Sequence, residues 1–354
     1  MLKQIAAGLG LALAASAPAF AGNAIVFDPD GTGAVAGDTT ISSFDWFPGS
    51  AMTIGVIPTA TGSFQTFAHG TLVGAGNQDG DPVGLAGLGS AYEITFVAAF
   101  GEGISAVTNT GYALQNNNGA PGGGDDVYTF TQSIVLGDPT GSQTNFFEVY
   151  WDDSIDASSV AGTGYNDGTL IASGAVTRVV GNFSTQFTFV DGDDDGVYNP
   201  AFDTIIGSGS PTGGFALLDQ NGVDNWGGQQ SVVGNGSTVI DVDLDPLTLN
   251  SDFFKTNIAA LNMDVNFNTS NVLPFNETNP SQSYWDGSSQ VAFGSGNVGE
   301  VNGLTGPDII FQADANNSFV TDVPEPKTVL LFALGLLLLG ATTARRRQAP
   351  QMTA

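Results

Sequence analysis

From Val239 to Asp245 the chain reads Val-Ile-Asp-Val-Asp-Leu-Asp. Successive side chains of an extended backbone point to opposite faces, so Ile240, Val242 and Leu244 share one side and Asp241, Asp243 and Asp245 the other. A helix would scatter both sets around its axis. Only a strand with one buried and one solvated face separates them. The same period runs through Tyr92–Phe100, where Tyr92, Ile94, Phe96, Ala98 and Phe100 line one face, and less cleanly through Val127–Leu136. Asn145–Trp151, Asn182–Val190 and Leu261–Phe267 are further strand candidates. Turn signals separate such runs at Asn166-Asp167-Gly168, Asn221-Gly222, Asn235-Gly236 and across Asn116–Asp126. No amphipathic helical pattern occurs outside the termini, and no fixed-period repeat suggests a solenoid. The expectation is an all-β chain with an antiparallel β-sandwich or jelly-roll-like body. That body is one elaborated domain, or two with a boundary near 191–203.

Charge narrows the partners. Between Gly22 and Val323 lie 34 of the 35 acidic residues but only two of the seven basic ones, Arg178 and Lys255, a net charge of −32. Such a surface repels nucleic acid and attracts divalent cations. So acidic a chain would be disordered if it lacked apolar residues, but 24 phenylalanines need a core. With no cysteine, that core must hold without disulfides.

The ends carry export signals. Lys3, an apolar run from Ile5 to Ala15 and the small residues of Ala19-Phe20-Ala21 make residues 1–21 a signal peptide, leaving residues 22–321 as an extracytoplasmic body. Thr328–Ala344 is uncharged and just long enough to span a bilayer as a helix, and Arg345, Arg346 and Arg347 follow on the side expected to stay cytoplasmic. Before it, Pro324-Glu325-Pro326 holds an extended backbone, because neither proline continues a helix. Residues 322–347, with Val323, Thr328, Gly335 and Gly340 in place, resemble the PEP-CTERM sorting signal; 348–354 are a short tail. That resemblance implies that the membrane protease exosortase reads the tripeptide and processes the tail. It also implies a Gram-negative bacterium producing exopolysaccharide, an inner-membrane anchor before processing, and delivery to the cell surface or extracellular matrix. Lys327 departs from the small or polar residue commoner there. Phe146–Val176 further resembles a subgroup of these proteins associated with flocculation.

One stretch has metal-ligand spacing. Asp191, Asp193 and Asp195 alternate, Gly196 follows, and Val197 and Asn199 continue the pattern. This resembles the first nine positions of an EF-hand type calcium loop, which implies side-chain ligands from the three aspartates, a carbonyl from Val197 and a contact from Asn199. The twelfth place is Phe202, not a bidentate glutamate; Asp203 follows and offers a substitute. The flanking helices of a true hand are missing from the pattern, since Phe187–Val190 reads as a strand. Calcium binding and a plain acidic turn are both open on these residues.

Catalytic signatures are sparse. His69 is the only histidine, and no nucleophile elbow accompanies it. Zinc needs more His or Cys than this chain supplies. Glu148, among aromatic neighbours, is the carboxylate that would matter in a glycoside hydrolase, but an outward strand residue explains it as well. The expectation is a non-enzymatic surface or matrix protein that interacts with exopolysaccharide and contributes to flocculation or biofilm formation. The alternative is a secreted carbohydrate-active hydrolase with the same tail.

Overall fold

The computed structural model describes residues 24–32, 37–54, 62–116, 126–199, 201–207, 234–255, 261–268, 281, 283–292 and 309–321. The signal peptide, the sorting tail with Pro324, Glu325, Pro326 and Arg345–Arg347, and the turn at Asn221-Gly222 lie outside the described residues. Met1–Val320 form one compact unit and Thr321–Ala354 a second.

Among the described residues sixteen strands follow one another: β1 (Ile25–Phe27), β2 (Thr39–Ile41), β3 (Ser43–Trp46), β4 (Gly49–Ile54), β5 (Ser63–Gly76), β6 (Pro82–Val83), β7 (Glu93–Asn116) and β8 (Asp126–Gly137). Then come β9 (Phe146–Asp152), β10 (Thr169–Asp191), β11 (Thr204–Gly207), β12 (Gly234–Leu244), β13 (Leu261–Asn268), β14 (Ser283–Trp285), β15 (Gln290–Ala292) and β16 (Ile309–Thr321). No α-helix occurs among the described residues.

The main sheet closes on itself. β5 pairs with β3 and β4 on one edge and with β7 on the other. β8 and β9 lie end to end between the long strands β7 and β10. β10 then pairs with β12, β12 with β13, β13 with β16, and β16 returns to β3 and β4. Closure leaves the strands of this circuit without the unpaired edges that invite aggregation. The antiparallel all-β body expected from sequence is therefore present, and its layers are opposed halves of one closed sheet. Phe100 of β7 stacks on Phe267 of β13 across the interior at 5.3 Å.

Interior positions follow the alternation. Ile240, Val242 and Leu244 are buried, as are Tyr92, Ile94, Phe96, Ala98 and Phe100. Val97 and Ala99, on the opposite face of β7, are buried too, because a second layer covers the sheet from outside. Tyr284 of β14 packs there with Met52, Phe67 and Ala99, and the β9–β10 loop joins it: Ser283 Oγ donates to Ala161 O at 2.7 Å.

The turn expected at Asn235-Gly236 is instead part of β12, where Gly236 lies opposite Phe183. A Cβ on Gly236 would collide with the Asn182 carbonyl and the Phe183 ring. The glycine thus serves close approach of two strands, a use that sequence does not distinguish from a turn.

Candidate functional site

β7, β8 and β10 run on past the main core, and their far ends carry a small aromatic cluster of Phe130 and Phe189 with Tyr112, Tyr128 and Tyr198 around it. The Asp-rich loop sits at this end. Asp191 closes β10 and Thr204 opens β11, which pairs back on β10, so the loop is a long hairpin connection. Tyr198 anchors it by stacking on Phe130 at 5.1 Å and meeting Phe189 edge-on at 5.4 Å. Burial, with the nearby Asp203 charge, pushes the Tyr198 hydroxyl up to about 12.

Backbone donors shape the loop. Asp191, fully buried, accepts Gly196 N–H on Oδ2 at 2.7 Å and Asp193 N–H on Oδ1 at 3.3 Å. Asp194 and Gly196 take left-handed backbone angles, φ 58° and 73°, which let the chain fold back over that carboxylate. Asp195 Oδ1 accepts Val197 N–H at 2.7 Å. Asp203 ties the ends together: Oδ1 takes Gly192 N–H at 2.8 Å and Oδ2 takes Asn199 N–H at 2.6 Å.

Of the residues singled out from sequence, Asp191, Asp193 and Asp195 converge, each offering an oxygen within 4.8 Å of the others. Asp203 acts as the clamp of the loop, and Asn199 Oδ1 is engaged by Ala201 N–H at 3.1 Å. The Val197 side chain is exposed. Partial desolvation, then the charges of Asp195, Asp203 and Asp191, push the Asp193 carboxyl above the usual range. Three hard oxygen donors, one of them buried, form a set suited to calcium rather than to zinc or copper.

A second acidic group was not legible in sequence. Asp152, Asp156 and Asp167 also come within 4.8 Å, although the β9–β10 loop separates them along the chain. Glu93 organises that loop from beneath, its Oε1 accepting Asp156 and Ala157 N–H at 3.0 Å each. Burial raises Glu93 above its usual range, and the Asp167 charge foremost raises Asp156. No local spacing announces this group, because only the folding back of the loop assembles it.

His69 is buried, stacked on Tyr165 at 4.1 Å and on Tyr284 at 4.8 Å. Burial pushes it down to about 3, so the ring is neutral. Its Nε2 lies 2.9 Å from Ser281 Oγ, whose own proton goes to the Ser159 carbonyl. Nε2 is therefore the donor in this pair, and His69 is not placed to take a proton from Ser281. Glu148 points outward from β9 and accepts the Tyr150 hydroxyl at 2.8 Å.

Among the described residues no helix is long and apolar enough to cross a membrane; Thr328–Ala344 lies outside them. No curated protein and no solved structure matches the chain. The family model of the PEP-CTERM protein-sorting motif matches residues 322–348, and it starts where β16 has just ended. That tail implies an exported protein with a membrane-anchored sorting signal and processing by exosortase. By its sorting tail, the chain is a PEP-CTERM domain-containing protein.

Proposed function

We propose that this protein is a non-enzymatic component of the cell surface or extracellular matrix, where it interacts with exopolysaccharide and contributes to flocculation or biofilm formation. The sorting motif at 322–348 carries the reading, joined to a body of 32 net negative charges. Mass spectrometry of the mature C-terminus tests delivery. With the sorting protease present the chain should end near Pro324–Pro326, and without it the tail should remain; identical ends in both strains would sink the proposal. Incubating the purified body with the organism's own polysaccharide tests the role. Retention without new reducing ends fits a matrix component, whereas reducing-end release abolished by Glu148→Gln would identify a hydrolase.

The Asp191–Asp203 loop is, on this reading, a structural calcium site built on Asp191, Asp193 and Asp195. Three close carboxylates repel one another unless a cation neutralises them. At a hundredfold excess of ion over the dissociation constant, binding stabilises by about 2.7 kcal/mol, or about 4 °C in melting temperature for a body of this size. Chelation should lower the melting temperature by that order, and Asp193→Ala should abolish the difference. Melting curves unaffected by chelator in the unsubstituted protein would leave the loop a plain acidic turn.

A further inference from the structure

Closure of the main sheet protects β7 only as far as Gly103. On one side β5 pairs with it from Thr95, opposite Thr71, to Gly103, opposite Ser63, and Gly62 O then takes the Ile104 N–H at 2.8 Å. On the other side β8 accompanies β7 from Gly103 to its end at Asn116. Among the described residues, nothing pairs with the β5 side of residues 105–116. The opposite edge of this extension is covered, because β12 and then β11 lie along β10 out to Val190. One edge of three strands is thus closed and the other is bare.

A bare edge offers a row of unpaired N–H and C=O groups to an extended chain, and charge or proline on the strand is the usual protection. β7 has neither here: residues 103–116 contain no charged residue and no proline. Its neighbours match it, since residues 127–137 of β8 and 179–190 of β10 are uncharged too. In a body of 32 net negative charges, this is a surface that a second copy can approach without facing like charge. Ala106, Thr108, Thr110, Ala113 and Leu114 are exposed along it. The register with β8 shifts between Ile104 and Ala106, Thr110 and Ala113, and Leu114 and Asn116. Each shift adds a residue to β7 that β8 leaves unpaired and sharpens the twist of the edge.

We propose that the bare edge of β7 pairs antiparallel with the same edge of a second copy, joining two bodies through one continuous sheet. Charge fixes the direction. The extension ends in acid, with Asp126 opposite Asp191 at its tip. Parallel pairing would set two such tips side by side, about 5 Å apart. Antiparallel pairing about a two-fold axis near Gly111, the middle of the free run, separates them by about 30 Å, several times the Debye length of about 8 Å. Every copy carries the same membrane-anchored sorting signal, which holds copies on one surface and raises their effective concentration. An isologous contact of this kind closes at two copies and leaves no edge for a third. The inference draws on the sorting tail only for that concentration, and it is independent of the calcium loop and of polysaccharide binding.

Sedimentation velocity of the full chain in detergent tests the contact. The unsubstituted chain should pass from monomer to dimer as concentration rises, and added salt should favour the dimer by screening the two acidic bodies. Thr108→Lys with Thr110→Lys, and Thr108→Glu with Thr110→Glu, should each weaken the dimer about tenfold or more, because either set places like charges across the axis. Both side chains are exposed, so circular dichroism should stay that of the unsubstituted chain. The chain has no cysteine, which makes single cysteines unambiguous reporters. Of Ala106→Cys, Thr108→Cys, Thr110→Cys and Ala113→Cys, those nearest the axis should give a disulfide-linked dimer on mild oxidation. Val73→Cys, exposed on β5 away from this edge, should give none. A chain that stays monomeric at every concentration would overturn the proposal. So would a dimer that neither double variant weakens and no edge cysteine links, the result expected if the tails associate instead.

Discussion

Phe96→Ala should lower the melting temperature of the body by about 5–8 °C, the equivalent of about 3–5 kcal/mol for emptying a buried aromatic site. Phe96 is 2% exposed and sits where the closed sheet is thickest with rings. It lies edge-on to Trp46 at 4.9 Å, stacked on Phe147 at 5.1 Å and edge-on to Phe267 at 6.2 Å. These partners come from β3, β9 and β13, so one truncation loosens three separate parts of the circuit. Directly opposite Phe96 on β5 is Gly70, and a Cβ there would come within 2.6 Å of the Phe96 ring. Gly70→Ala alone should therefore destabilise, whereas in the Phe96→Ala background it places a methyl in the vacated space. Urea denaturation of both single variants and the double variant should show the double losing less than the sum of the singles. Simple additivity would mean that the ring and the glycine are not coupled.

Glu102→Gln should stabilise the body at neutral and alkaline pH, by about 1–2 kcal/mol, the scale of relieving an unpaired buried charge. Glu102 lies inside the closed sheet, 4% exposed. It accepts the Thr66 hydroxyl at 2.5 Å and the Thr238 hydroxyl at 2.9 Å, from β5 and β12. Burial raises its pKa, and the two hydroxyls offset only part of that rise. The folded state therefore holds this proton more tightly than the unfolded state, where a glutamate titrates near about 4.3. The stability it contributes is complete below that pH and is lost as pH rises through the folded pKa. Glu93, Asp264 and Asp314, each raised chiefly by burial, add to the same trend. Melting temperatures should accordingly fall from mildly acidic to alkaline pH, and Glu102→Gln should flatten the slope. An unaltered slope in that variant would show that Glu102 is ionised at no cost.

Much of this architecture could be read from residues alone, and what could not has identifiable causes. The alternation at Ile240, Val242 and Leu244 is local, so the strand and its buried face were both legible. In β7 the buried outer face at Val97 and Ala99 blurs the pattern, because the layer above it comes from residues far along the chain. Closure of the sheet rests on pairings such as β5 with β7 and β13 with β16, which no local period encodes. The glycine of Asn235-Gly236 carried a turn signal because freedom of backbone and absence of a side chain look identical in sequence. The convergence of Asp191, Asp193 and Asp195 was legible for the opposite reason, since alternate positions in a tight loop need no distant partner. Asp152, Asp156 and Asp167, and the ion pair of Asp28 with Lys255, depend on segments brought together only by folding.

The last strand of the body has a mechanical consequence. β16 ends at Thr321, and the matched sorting motif begins at the next residue. Along one edge β16 is bonded to β4 and β3, along the other to β13. Tension applied along the axis of β16 therefore enters a strand gripped from both sides. Its hydrogen bonds are loaded together in shear rather than opened one after another, as they would be in a strand peeled from an edge. A body hauled by its tail would yield late and all at once, as a grip suited to carrying load.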